Sequence, residues 1–270
     1  MEKIESVAGC CCVYNDFSFL EYVADNIMPF MKKIFFFVSH SMYDGTAKEG
    51  DNKLTLKVID RLKKKYGEQI VLVRKDWKNQ IIQRNEAIKT INDAGFQYCF
   101  IFDADEFYSA GDMQGILHYG LKMPHIDTFN THFYTYFKKV NYRIEPLQRL
   151  KALSLIKSTV NLSKTRGVNQ SIYSNLLIPQ EHVCWHHLSH VRNDEQMLEK
   201  FKIAKHEYGL NIDWYYNVWL KWFPEMKNFH PNEPASFSSV IDLKKDQLPD
   251  FLQRFYNNDE FYLNGEMLSD

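Results

Sequence analysis

Four short, unbroken apolar runs dominate the first part of the chain: Ser6–Tyr14, Ile34–Ser39, Ile70–Arg74 and the run opening at Tyr98. None alternates polar with apolar residues, so each reads as a strand buried on both faces, the kind found inside a parallel sheet. Helical patterns separate them. Phe17–Met31 places Phe19, Leu20, Val23, Ile27 and Phe30 near helical spacing, with Asp16 as a candidate cap. Leu54–Tyr66 is basic and amphipathic, and its Lys63-Lys64-Lys65 run reads as a solvated face. Lys78–Ala94 supplies Ile81, Ile82, Ala87, Ile88 and Ile91. Ser41–Lys53 is loop-like, with Asp44-Gly45 as a turn signal. The resulting β-α-β-α-β-α-β order predicts right-handed crossovers and a parallel sheet covered on both sides.

Sheets of that kind bind ligands outside the carboxyl ends of their strands. Every such end here carries polar groups: Asn15-Asp16, Ser39-His40, Arg74-Lys75-Asp76 and Asp103-Ala104-Asp105. The last of these follows Tyr98-Cys99-Phe100-Ile101-Phe102. If the chain stays extended to Asp105, a period of two points both carboxylates to one side. Two converging carboxylates repel, and a hard divalent cation such as magnesium or manganese would relieve the repulsion. A polar turn after a core strand is the plainer alternative, and the convergence of four polar ends favours the cation site.

The second half changes character. Thr128–Phe137 alternates polar and aromatic residues like a half-exposed strand, and Leu147–Lys157 is compatible with strand or helix. Lys164–Asn175 is polar and loop-like, and His182–His190 reads as a strand. Asn193–Tyr208 has a good cap in Asn193, acids in its first turn and a stripe of Met197, Phe201 and Ala204. From Asp213 the chain is aromatic and helical in pieces, with Trp214, Trp219, Trp222 and Phe223, then Pro231 and Pro234, then a short helix over Leu248–Tyr256. Those aromatics read as core before acceptor platform.

Composition excludes several classes. A net charge of -1 draws the chain toward neither nucleic acid nor anionic membrane. The five cysteines, three of them adjacent in an apolar run, read as small buried hydrophobes in a reducing compartment. No signal peptide and no apolar run long enough to span a membrane are expected, which points to a cytoplasmic protein. The glycine-rich phosphate loops of P-loop and dinucleotide-binding proteins are absent, as is Gly-x-Ser-x-Gly. His182, Cys184, His186 and His190 share one face of an extended strand, and four ligands on a straight strand cannot surround one zinc ion.

Several motifs together resemble the GT-A glycosyltransferases, specifically the family 2-like group. Tyr14-Asn15, with Asp16 following, resembles that family's strand-end Asn-Glu. Asp44-Gly45-Thr46 resembles its S-x-D-G-T loop, with Ser39-His40 where the strand-end acid is expected. Arg84-Asn85-Glu86-Ala87 matches R-N-x-A on the helix before the metal strand, and Asp103-Ala104-Asp105-Glu106-Phe107 matches D-x-D-E-F. His187-Leu188-Ser189-His190-Val191-Arg192 resembles a late H-x-S-x-x-R segment. The resemblance covers the first 110 residues and then one later island.

The resemblance implies an α/β GT-A fold with a mostly parallel central sheet flanked by helices and a helical aromatic C-terminal extension. It implies a catalytic domain over 1–210, split into a nucleotide-sugar half (1–110) and an acceptor half (111–210), with 211–270 as the extension. The implied activity is metal-dependent transfer of a hexose from a nucleoside-diphosphate sugar, a UDP-sugar first, to a hydroxyl acceptor, with inversion in the family's usual manner. Mn2+ or Mg2+ would be held by Asp105 and Asp103, with His187 completing the site and His186 second. Tyr14, Asn15, Ser39, Asp44, Arg84, Asp103 and Arg192 are the implied donor contacts. For the base that deprotonates the acceptor, Glu145 comes first and Asp194 second. A sugar-nucleotide nucleotidyltransferase and a non-catalytic nucleotide- or sugar-binding protein are the alternatives.

Overall fold

The computed structural model describes residues 6–41, 52–147, 151–208 and 212–257. By its internal contacts the chain divides into two units that interleave in sequence. The first comprises Met1–His132 and Lys151–Trp185, the second Phe133–Leu150 and His186–Asp270.

The first unit opens with the expected alternation: β1 (Val7–Val13), α1 (Leu20–Ile27), β2 (Ile34–Ser39), α2 (Lys53–Tyr66), β3 (Ile70–Lys75), α3 (Gln80–Asp93) and β4 (Tyr98–Ile101). The four strands lie parallel in the order β4-β1-β2-β3, with Cys10 paired to Phe35 and Ile101, and Phe35 to Val71. After β5 (Glu106–Phe107) and α4 (Ala110–Lys122), β6 (Thr128–Phe137) begins in this unit and runs on into the second. The stretch that could have been strand or helix resolves as β8 (Ala152–Lys157), antiparallel to both β4 and β6. Its apolar residues pack into a sheet instead of forming a helical stripe. β9 (Asn175–Leu177) adds parallel to β6.

Both faces of the sheet are covered. On one, Ala8, Cys10, Phe35, Phe37, Cys99 and Ile101 pack with Trp77, Ala87, Ile88 and Ile91. On the other, Phe19 meets Phe107 edge-on at 5.9 Å, Phe36 meets Phe102 at 6.5 Å, and Phe100 meets Tyr108 at 5.1 Å. A run of side chains buried on both faces explains why these strands read as continuous apolar segments. Gly9 is where the packing is tightest, since a Cβ there would stand 3.2 Å from both Ile34 Cγ1 and Phe102 Cε1.

Local signals set the helix ends. Asn79 caps α3, accepting from Ile82 N at 2.9 Å. Ser109 and Asp112 form a capping box on α4. The first helix is shorter than expected: Asp16 does not cap it, Phe19 precedes it without a side-chain cap, and Pro29 sits in a 3-10 turn over Met28–Phe30.

The second unit contains the end of β6, β7 (Lys139–Glu145), the end of β10 (Cys184–His190), α5 (Asp194–Tyr208), α6 (Ile212–Trp214) with a π-helical turn over Tyr215–Trp219, β11 (Ser239–Asp242) and α7 (Asp250–Gln253). β7 pairs antiparallel with β6 and β11. Phe137 is the hub of its core, with Trp214, Trp219, Phe229 and Phe237 around it. Asn193 caps α5 as expected, accepting from Gln196 N at 2.8 Å. Among the described residues no helix is long and apolar enough to cross a membrane.

Candidate functional site

Side chains tie the carboxyl ends of the parallel strands together. Asn15 has a positive φ of 46°, and its N–H donates to Asn52 Oδ1 at 2.7 Å. Asn52, itself buried with a φ of 64°, donates through Nδ2 to Ser39 O at 2.8 Å. One asparagine side chain thus joins the ends of β1 and β2. Asp76, after β3, accepts from Ser41 N at 2.9 Å and Ser41 Oγ at 2.8 Å, which ties the end of β2 to that of β3. Asp44 and the rest of its Asp44-Gly45-Thr46 motif lie outside the described residues.

The acids after β4 are arranged differently from the extended picture. The strand stops at Ile101, and Glu106 N donates to Asp103 O at 3.3 Å, so Asp103-Ala104-Asp105 folds into a turn. The two aspartates accordingly differ in environment: the Asp103 side chain is 32% exposed, whereas Asp105 is 4% exposed. The alternation rule fails here because the backbone is no longer a strand.

Arginines occupy the turn. Arg84, on α3 and 5% exposed, donates Nη2 to Asp103 Oδ1 at 2.8 Å. Arg166, from the loop after β8, donates Nη1 to Asp103 Oδ2 at 3.3 Å and also to Glu106 Oε1. Its Nη2 reaches Glu106 Oε2 at 3.3 Å and the carbonyls of Ile101 and Leu153 at 3.1 Å each. Glu106 is fully buried and accepts a further bond from Tyr108 Oη at 2.8 Å. Burial pushes the Asp103 carboxyl upward, and Arg84 and Arg166 more than offset it, holding it below the usual carboxylate range. Burial and the neighbouring Glu106 push the Tyr108 hydroxyl up.

Asn85, beside Arg84, bonds Leu162 twice, donating Nδ2 to its carbonyl at 3.0 Å and accepting from its N–H at 2.7 Å. The Arg84-Asn85 pair therefore fixes both the acid turn and the start of the loop that carries Arg166. Sequence reasoning placed Arg166 in a featureless loop and gave Glu106 no role. The available signal was charge balance: three acids closing a buried strand require cations, and a fully buried glutamate is paired.

No family model matches the chain, and no curated protein matches it. Solved structures do resemble it. A mannosyltransferase from Pyrobaculum calidifontis, solved with GDP-Man and Mn2+, aligns over 75% of this chain and 64% of its own, with 11% identity and a TM-score of 0.46. TarS from S. aureus aligns over 77% of this chain and 41% of its own, with 10% identity and a TM-score of 0.43. A 4-diphosphocytidyl-2C-methyl-D-erythritol synthase from Anaerococcus prevotii aligns over 73% of this chain and 96% of its own, with 9% identity and a TM-score of 0.42. The chain thus spans less than two thirds of the length of the mannosyltransferase and of TarS.

The acid turn does not fit an open cradle for a dication. Both oxygens of Asp103 are already engaged by guanidinium groups, and both oxygens of Glu106 by Arg166, with Tyr108 adding a bond. Among the described residues no group of three or more His, Cys, Asp and Glu side chains is placed to hold a metal ion.

The remaining candidates belong to the second unit. His187 packs edge-on against Phe133 at 5.4 Å, and buried His186 shares a 2.7 Å hydrogen bond between Nδ1 and Tyr136 Oη. Arg192 is buried and donates Nε to Ser189 O at 3.2 Å. Glu145 accepts from Arg143 at 2.8 Å. Asp194 accepts from Lys138 Nζ and from Trp219 Nε1, each at 2.8 Å. Burial raises the Asp194 carboxyl, and these two donors outweigh that effect and leave it below the ordinary range. That makes it a weak base at neutral pH.

Proposed function

We propose that the first unit binds a nucleoside-diphosphate sugar at the carboxyl ends of β1, β2 and β4, and that the protein is a glycosyltransferase moving the sugar to a hydroxyl acceptor. The observation that carries this reading is the gathering of Asn15, Ser39, Arg84 and the Asp103–Glu106 turn around parallel strand ends, where sheets of this kind receive ligands. Tyr14 and Asn15 would face the nucleoside, and Arg84 the diphosphate. Transfer generates negative charge on the departing diphosphate, and fixed cations near that charge stabilise it. A hexose donor and inversion at the anomeric carbon are the family-like version of this chemistry.

A thermal-shift panel of UDP, GDP and their sugar conjugates tests the reading. Saturation at about 100 times Kd adds ~2.7 kcal/mol to stability. For a protein of this size that raises Tm by about 5–10 °C. A panel in which no nucleotide moves Tm overturns the proposal.

A further inference from the structure

At the acid turn, the buried polar atoms left without a partner among the described residues are donors. Arg84 spends Nη2 on Asp103 and keeps Nε and Nη1 unpartnered, while Arg166 spends both terminal nitrogens and keeps Nε unpartnered. What the site lacks is an acceptor. A buried guanidinium with unused N–H groups is matched by an oxyanion, and the planar fork suits phosphate oxygens.

Two of the acids at the turn are already paired. Arg84 holds Asp103, and Arg166 holds both Asp103 and Glu106. A dication seated on Asp103 would meet two guanidinium groups already within hydrogen-bond reach of that carboxylate, and like charges at such range repel. A phosphate oxygen meets the reverse situation. Asp103 is the partly exposed member of the cluster, so an entering anion can take over its place on Arg84 without leaving the guanidinium uncompensated.

We propose that Arg84 and Arg166 form a built-in anion site for the diphosphate group, and that diphosphate binding there needs no divalent cation. The proposal rests on the donor-site reading above and adds Arg166 and cation independence to it.

Isothermal titration of the full chain with inorganic pyrophosphate, in EDTA and then in Mn2+, tests it. The expected result is saturable binding in EDTA, within about threefold of the affinity in Mn2+, and weakened at least about tenfold by Arg84→Gln. Arg166→Gln alone leaves Glu106 buried without its cation, so it is paired with Glu106→Gln, and this double variant should lose pyrophosphate affinity to a similar extent. Binding that requires Mn2+, binding that both variants leave intact (an adventitious ion only), or no binding overturns the proposal. Competition separates it from the reading it rests on. If UDP or GDP binds only with Mn2+, the donor site stands and the arginine site falls. If pyrophosphate binds in EDTA and no nucleotide competes with it, the arginine site stands and the donor reading falls.

Discussion

Replacing Arg166 by glutamine removes the cation beside a fully buried glutamate. Arg166 meets Glu106 with both terminal nitrogens, touches Asp103, and satisfies the carbonyls of Ile101 and Leu153. Burial works against its charge, but Glu106 and Asp103 outweigh that effect and raise its pKa. Breaking a buried ion pair by removing one partner costs about 3–5 kcal/mol, because the other charge is stranded. That is a large share of the roughly 5–15 kcal/mol that holds a typical domain together. At about 2–4 °C per kcal/mol, Tm should fall by roughly 6–20 °C. Adding Glu106→Gln removes the stranded charge and should recover most of the loss. Urea unfolding of the wild type, both single variants and the double variant closes a double-mutant cycle. Amide exchange on β4 and β8 shows whether the loss is local to the strands that Arg166 joins. A cost below about 1 kcal/mol for Arg166→Gln, or a double variant no more stable than the single, would refute the claim that the turn depends on this pair.

Asn52→Ala should cost about 1–3 kcal/mol, since Asn15 N and Ser39 O both lose a buried partner. Asn52→Gly tolerates the positive φ, so the loss it retains in urea unfolding isolates the side-chain bonds. Gly115→Ala would place a Cβ 2.8 Å from Val183 Cγ2 and 3.2 Å from His182 O. Thermal denaturation should register that overpacking as a loss of about 1–3 kcal/mol. Asp194, whose folded-state pKa is depressed, contributes stability that is present above the unfolded carboxylate value and lost as pH falls through the folded one. Stability followed from neutral pH down through the acid range should therefore decline in the wild type, with a shallower decline in Asp194→Asn.

Much of the first unit was legible because its strands are buried on both faces. Ile34–Ser39 appears at its predicted bounds, and Tyr98–Ile101 stops one residue short of the apolar run, whose last residue, Phe102, packs edge-on against Phe36. Periodicity could not decide Leu147–Lys157, because an apolar run with basic interruptions suits either structure until its neighbours are known; pairing with β4 and β6 decided it. The acid turn was located correctly and its geometry was not. Whether two acids after a strand face together depends on the backbone staying extended, and the Glu106 N to Asp103 O bond ends the strand first. Arg166 was invisible for a different reason: its partners are far away in sequence, and nothing in its own loop distinguishes it from a solvated arginine. Asn52 escaped in the same way, as one polar residue ahead of a helix.

The interleaving of the two units constrains how the chain can be made and altered. The chain leaves the first unit after His132, returns at Lys151 and leaves again after Trp185. During synthesis β4 must wait for β8, its antiparallel neighbour, until the whole excursion through 133–150 has emerged. The nascent first unit therefore holds an unpaired strand edge over that interval, a state prone to mispairing. Neither unit corresponds to one contiguous stretch of gene. No single crossover or truncation exchanges or removes one whole unit and leaves the other intact, so a protein of this design is more readily altered by point substitution than by shuffling modules.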